Sequence, residues 1–600
     1  MKKAKDPADR REVYVSDLYA AVKEKESLLP YSSKDKWEYV SYETADAKGN
    51  LLLSSSESQP PAVTIEPKLS GWYKIYVCLG EICGSFETGG IFNNITLKLS
   101  GDEFPSTVSS ARMGAYSMWN TSENVEESFW KCADMTGQSI EISKPDVGIR
   151  HTSNVFWFRF VPIYDGDAAA AKKEPKRTMF AHMDGDFHML DVTNAPRDYC
   201  KPIYAMKDSD VGIVCEEVMN DLCDHRRPGD DYSFRTCQDG VRDRAFKKLS
   251  DDRAAIYKEQ IKYAHGCGIK MFAGHRMQLS NFSLPFENPM FRIPFVDENK
   301  DKRCVARDGT ETDFLSYGYK EVRDYMTGAI LDSARHGFDG VLCIWTRGIH
   351  LYFEEPLAAR FKEKFGGDID IRTLPEDDAR LVEIKCDIMT GFHRDVRRAL
   401  ADEAKKSGAK PIKIYVTGCF DVASSKKDGI DVERLSKEGL IDGVIQTKMK
   451  LCELTDGVTD ENGLIDIKKY AEKAKYDRMY DRITGSRIDL LAAGAGGYRA
   501  IADRYGIDFF TEIQWETYKK PEEYVLGAKQ IYAAGGKGIS LWDCYPSRVN
   551  ILSEWAATSR LGDADEVMKM SDDPSTYHKI IKVLSYNGKD VRYISPSWRG

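Results

Sequence analysis

The chain has no long apolar run. No uncharged stretch approaches the ~18 residues of a membrane-spanning helix, so no membrane partner is expected. No apolar segment follows the basic residues of MKKAKDPADRREVYV, so no secretory signal is read there and a cytoplasmic setting is expected. Basic charge is not in excess. The 86 Lys and Arg face 95 Asp and Glu, a net charge of −9, which argues against a nucleic-acid partner, whose phosphates need a basic face. None of the 14 cysteines forms a CxxC pair, and Cys78, Cys215 and Cys343 lie inside apolar runs. They read as small core hydrophobes in a reducing compartment rather than zinc ligands. At 42% hydrophobic, 30% charged and 11% aromatic, the chain is not a disordered one.

What is present is length. At roughly 150 residues per domain the 600 residues suggest about four domains, but a (β/α)8 barrel alone can absorb ~250 to 400 residues. Residues 36–165 carry short alternating runs, PAVTIEPK, GWYKIYVCL, NITLKLSG, QSIEISK and NVFWFRFVPI, separated by turn signals. This predicts an all-β sandwich over 1–165, of the kind that binds carbohydrate. Trp72, Trp119 and Trp130 are its candidate sugar-stacking residues, with a core role the more expected one. The small, charged segment 166–177 reads as a linker.

From residue 178 to 562 the pattern becomes strand alternating with helix. Eight strands are predicted, over 178–186, 211–219, 269–277, 338–346, 412–420, 442–449, 507–515 and 538–545. Glycines end several of the helices between them. Eight such units predict an α/β fold, a (β/α)8 TIM barrel behind the sandwich. The Gly-rich segments 494–497 and 533–538 are expected in helix-to-strand turns. Residues 563–600 form a C-terminal extension, whose VRYISPSW is expected to add a strand to the sandwich or the barrel.

In such a barrel the active site lies at the C-terminal ends of the strands. The polar residues there are Asp184, Asp186 and His188, then Glu216 and Glu217, His275 and Arg276, Arg347 and His350. The later strands add Thr417, Gln446, Glu512, Gln514, Trp542, Asp543 and Tyr545. Of the adjacent pair Glu216 and Glu217, one should face the lumen and one the helices. A rim of carboxylates with Trp and Tyr suits a sugar. The rings stack on a pyranose, and the carboxylates hold hydroxyls or do acid/base work.

The span 178–562 resembles the family-10-like glycosyl hydrolases, a bacterial (β/α)8 group. The resemblance rests on MDGDFHML, ENPMFRIP, LSYGYKEVRDYM, RGIHLYFEEPLAARFKEKFGGDIDIRTLPEDDARL, DVERLSKEGLIDGVI and GISLWDCY. PAVTIEPKLSGWYKIYVCLG is similar to a module that some members carry at the N-terminus. The resemblance implies a glycoside hydrolase. One departure stands out: related barrels end strand four with an acid, whereas this chain has CIWTRG there, so Glu354 or Glu355 of the next loop is a candidate replacement.

The expected function is hydrolysis of a glycosidic bond by paired carboxylates, drawn from Glu512, Asp543, Glu354 and Glu216. Asp184, Asp186, His188, His275, Arg347, Tyr352, Gln514, Trp542 and Tyr545 are the expected substrate contacts. The partner is a carbohydrate substrate, self-association is allowed, and no cofactor or metal is called for. Two other readings stay open: a non-catalytic carbohydrate-binding protein on a degenerate barrel, and a lyase or isomerase using a metal at Asp184 and Asp186.

Overall fold

The long helices start and stop on local signals. Asp378 caps Ala379–Ser407 by accepting from the Arg380 backbone N–H at 2.9 Å, and the helix ends at the left-handed Gly408. Lys320–His336 ends in the same way at Gly337, with φ 91°. The structure is a computed structural model that describes residues 11–55, 58–80, 94–109, 124–145, 152–164, 174–183, 195–219, 254–280, 294–345, 350–375, 377–447, 488–514, 521–542 and 550–591.

Between such helices run the strands Met179–Met183, Val211–Met219, Lys270–Arg276, Gly340–Ile344, Lys413–Gly418, Gly443–Gln446, Asp508–Gln514 and Ile539–Trp542. They close in chain order into one parallel barrel, so all eight expected strands are found and the α/β barrel stands. Phe180, Cys215, Phe272, Leu342, Tyr415, Ile445 and Phe510 fill the lumen. The opposite strand faces pack on the helices, through residues such as Val214, Met271, Val341 and Ile414. At the N-terminal end of the barrel, Arg177 donates to four backbone carbonyls: Ser209 and Val211 at 3.0 Å, Lys207 and Cys267 at 2.6 Å.

One glycine expectation needs correction. Gly494–Gly497 lie inside the helix Ile488–Tyr505 rather than in a turn. A Cβ on Gly494 would fall 1.9 Å from the Phe420 carbonyl oxygen, so glycine permits close approach of helix and chain there. Gly535, with φ 102°, does sit in the turn before the eighth strand.

The β-rich region consists of two sheets that share an apolar core. The larger has ten strands, following the order Val13–Val15, Trp157–Pro162, Trp72–Gly80, Asn124–Asp134, His578–Tyr586, Trp37–Thr44, Lys48–Ser54, Ser153–Val155, with two short strands off that path. The smaller runs Asn550–Ile551, Ser106–Ser109, Asn94–Leu99, Ile140–Ser143, Val63–Ile65. Ile75, Val77 and Phe158 of the first meet Ile95, Leu97 and Ile140 of the second. Both sheets therefore recruit residues from beyond the barrel. His578–Tyr586 pairs antiparallel with Asn124–Asp134 on one side and Trp37–Thr44 on the other. This strand lies upstream of most of VRYISPSW, whose residues beyond Val591 are outside the described ones. Trp130 is buried under Lys131, Trp72 is half-buried, and Trp119 lies outside the described residues.

Candidate active site

Strand alternation decides which side chains enter the barrel mouth. Phe180 and Cys215 face the lumen, so His182 and Glu217, two residues further along, do too. Phe272, Phe510 and Trp542 set the same parity for Arg276 and Glu512. The result is an arc across neighbouring strands, with Glu512 on the seventh, Trp542 on the eighth, His182 on the first, Glu217 on the second and Arg276 on the third.

Contacts within the arc are close. His182 Nε2 lies 2.8 Å from Glu217 Oε1, and Arg276 Nε lies 2.7 Å from Glu217 Oε2. The Glu217 and His182 side chains are fully buried and Arg276 is 13% exposed. Burying a charge in a barrel is costly unless an opposite charge stands beside it, and here the guanidinium does. The imidazole stacks on Trp542 with ring centroids 3.8 Å apart and planes inclined by 17°. Glu512 is 1% exposed and pairs in register with Ser540, one residue pair before Ile513 and Leu541. The arrangement thus offers two buried carboxyl groups and an indole at the C-terminal end of the barrel strands.

Two expected residues turn away from this mouth, and Glu354 is tied up by hydrogen bonds of its own. Glu216 faces the helices, where its Oε2 accepts from Gln260 Nε2 at 2.6 Å. The lumen carboxylate of that pair is Glu217. His275 also faces outward, its Nε2 lying 2.9 Å from Ser333 Oγ on the helix Lys320–His336. Arg276 is the inward one. Glu354 stands at the N-cap of Glu355–Phe365. Its carboxyl accepts from the Tyr352 backbone N–H at 3.0 Å and from Ser316 Oγ, and burial raises its pKa. These bonds tie it to the Gly-containing loop before Lys320–His336 and to its own loop after the fourth strand. Tyr352 is 7% exposed beside it, its ring meeting that of Phe353 edge to face at 5.2 Å. His350, also buried, bonds the Trp345 carbonyl through Nε2, and burial pushes its pKa down to about 4.

Trp542 is where it was expected, at the end of the eighth strand. The Gln514 backbone pairs with Trp542. Asp184, Asp186, His188, Arg347, Asp543 and Tyr545 lie outside the described residues. Among the described residues no group of three or more His, Cys, Asp or Glu could hold a metal ion, and no helix is long and apolar enough to cross a membrane. Glu217 and Arg276 are rim candidates in the sequence, but neither they nor His182 are among the expected carboxylates and substrate contacts. Strand parity would have found them, but both faces of these parallel strands are apolar below the rim, so the sequence does not display that parity.

No protein-family model matches the chain, and no curated protein matches it. Several solved structures are similar to it. One is the glycoside hydrolase domain of PgaB (BpsB) from Bordetella bronchiseptica, with 13% identity, 61% of this chain and 93% of that chain covered, and a TM-score of 0.38. A noncanonic maltogenic alpha-amylase AmyB from Thermotoga neapolitana shares 10% identity over 63% of this chain and 70% of its own, with a TM-score of 0.31. The glycoside hydrolase domain of PelA from Pseudomonas aeruginosa shares 10% identity over 61% and 94%, with a TM-score of 0.27. None of these names the family-10-like group, and similarity at this level carries nothing about the reaction.

Proposed function

We propose that this chain is a glycoside hydrolase whose working carboxyl groups are Glu217 and Glu512, with Trp542 supporting the sugar site from beneath His182. The observation that carries the reading is Glu217 itself. It is a fully buried lumen carboxylate at the catalytic end of a (β/α)8 barrel, flanked by Arg276 and His182. A neighbouring guanidinium favours the ionised form, which a nucleophile or base must have. Glycoside hydrolysis needs a second carboxyl group to protonate the departing oxygen. Glu512 supplies one from across the arc, on a strand separated from that of Glu217 by two others. Trp542 is 1% exposed and carries the His182 ring on one face, so it fixes the floor of the mouth beneath this pair.

A carbohydrate substrate, cleaved without a cofactor, follows from this chemistry. Asp543, next to Trp542 in the chain, is the third carboxylate to be tested. The test is a screen of 4-nitrophenyl glycosides and oligosaccharides, followed by Glu217→Gln and Glu512→Gln on whichever substrate is cleaved. Loss of one acid or base group should lower kcat roughly 10²–10⁴-fold. Full activity in both variants would remove these residues from the mechanism. Saccharide binding without turnover would favour a non-catalytic barrel, and loss of activity with a chelator, restored by metal, would favour a lyase or isomerase.

A further inference from the structure

His182 Nε2 stands within ion-pair distance of a Glu217 oxygen, at 2.8 Å, and neither nitrogen of its ring makes a hydrogen bond among the described residues. That proximity leaves Nδ1 as the ring nitrogen not committed to the carboxylate. Nδ1 is buried and has no hydrogen-bond partner. Among the described residues nothing completes it: Cys215 is its register neighbour on the second strand, and Trp542 covers one face of the ring rather than the in-plane nitrogen. Buried polar atoms are nearly always matched, and an unmatched one at a functional mouth marks a place for a ligand atom.

We propose that His182 is a two-ended positioning residue, its Nε2 holding the Glu217 carboxylate in place and its Nδ1 hydrogen-bonding a substrate hydroxyl. The proposal rests on the glycoside hydrolase reading and deepens it. It assigns the substrate a free hydroxyl next to the group that Glu217 attacks or deprotonates. Stacking on Trp542 fixes the plane of the imidazole and hence the direction of both nitrogens. Arg276 holds the other Glu217 oxygen, so the carboxylate is gripped from two sides, one of which also touches substrate.

The two ends can be separated by substitution. The amide of His182→Gln reaches the position of Nε2, while that of His182→Asn reaches only the position of Nδ1. Crystal structures of both variants give a readout independent of activity. Glu217 should keep its position in His182→Gln and rotate off Arg276 or toward a new partner in His182→Asn. Kinetics on the 4-nitrophenyl glycoside that the wild type cleaves should then split. His182→Gln should raise KM about tenfold with kcat nearly unchanged, and His182→Asn should lower kcat about 10²-fold with KM nearly unchanged. Equal losses in the same parameter, wild-type kinetics in either variant, or an unmoved Glu217 in His182→Asn would each overturn the assignment. A wild type that cleaves no glycoside overturns the hydrolase reading and the hydroxyl half of the proposal, while the crystal structures still decide the Glu217 half.

Discussion

His578 Nδ1 lies 2.8 Å from Glu126 Oε1, joining two residues 452 positions apart in the chain. Glu126 is 1% exposed in the strand Asn124–Asp134, and His578 begins the strand inserted beside it. Glu522 Oε2, from the barrel helix Pro521–Ala533, stands 3.8 Å from His578 Nε2. One imidazole thus links the β-sheet, the C-terminal strand and the barrel.

That link should make stability pH-dependent. Burial works to lower the His578 pKa, but the hydrogen bond to Glu126 and the charges of Glu126, Glu522 and Glu554 outweigh it, so the folded value is raised. A raised folded pKa means stability that is complete below the ordinary value of about 6.5 and is lost as pH rises through the folded value. Urea denaturation from pH 6 upward should show stability falling with pH in the wild type, and less so in His578→Gln. A wild-type midpoint that climbs over this window would contradict the assignment.

The Glu217–Arg276 pair predicts a large coupling. Arg276→Met leaves a buried carboxylate without its guanidinium and should cost roughly 3–5 kcal/mol. Adding Glu217→Gln to that variant should restore a substantial part of the loss. A double-mutant cycle by chemical denaturation measures the term directly, and additive single effects would show that the two groups do not interact.

Two glycines in one helix should respond in opposite directions. Gly494→Ala puts a methyl group into the Phe420 carbonyl and should destabilise by about 1–3 kcal/mol. Gly496, exposed on the same helix with nothing within 4 Å of a new Cβ, should be stabilised as alanine by somewhat under ~1 kcal/mol. Thermal denaturation of the two variants checks both signs together.

Arg177 satisfies four carbonyls at the closed end of the barrel. Arg177→Met keeps the aliphatic stem and removes every donor. It should lower stability by roughly 1–3 kcal/mol without changing activity on any cleaved glycoside, since the substitution lies at the opposite end from Glu217. Unchanged stability would mean that solvent replaces the guanidinium at no cost.

All eight barrel strands were legible because each is a short apolar run between a glycine-ended helix and a polar rim. That pattern is local, and it also put Glu512 and Trp542 at the mouth. Register and facing are not local. Val214 and Cys215, or Ala273 and Phe272, are equally apolar on the two faces of a strand buried on both sides. Only closure of the barrel separates Glu217 from Glu216 and Arg276 from His275. That the Glu354 carboxyl sits on the Tyr352 N–H and Ser316 could not be read from the sequence either. The strand His578–Tyr586 has an alternating pattern of its own, but its partners lie more than 400 residues earlier. Local sequence therefore determined the strands, the helix ends and the catalytic rim. The inward residues and the sheet that takes in the C-terminus were decided by tertiary pairing, because identical backbone alternation fits either face until distant strands meet.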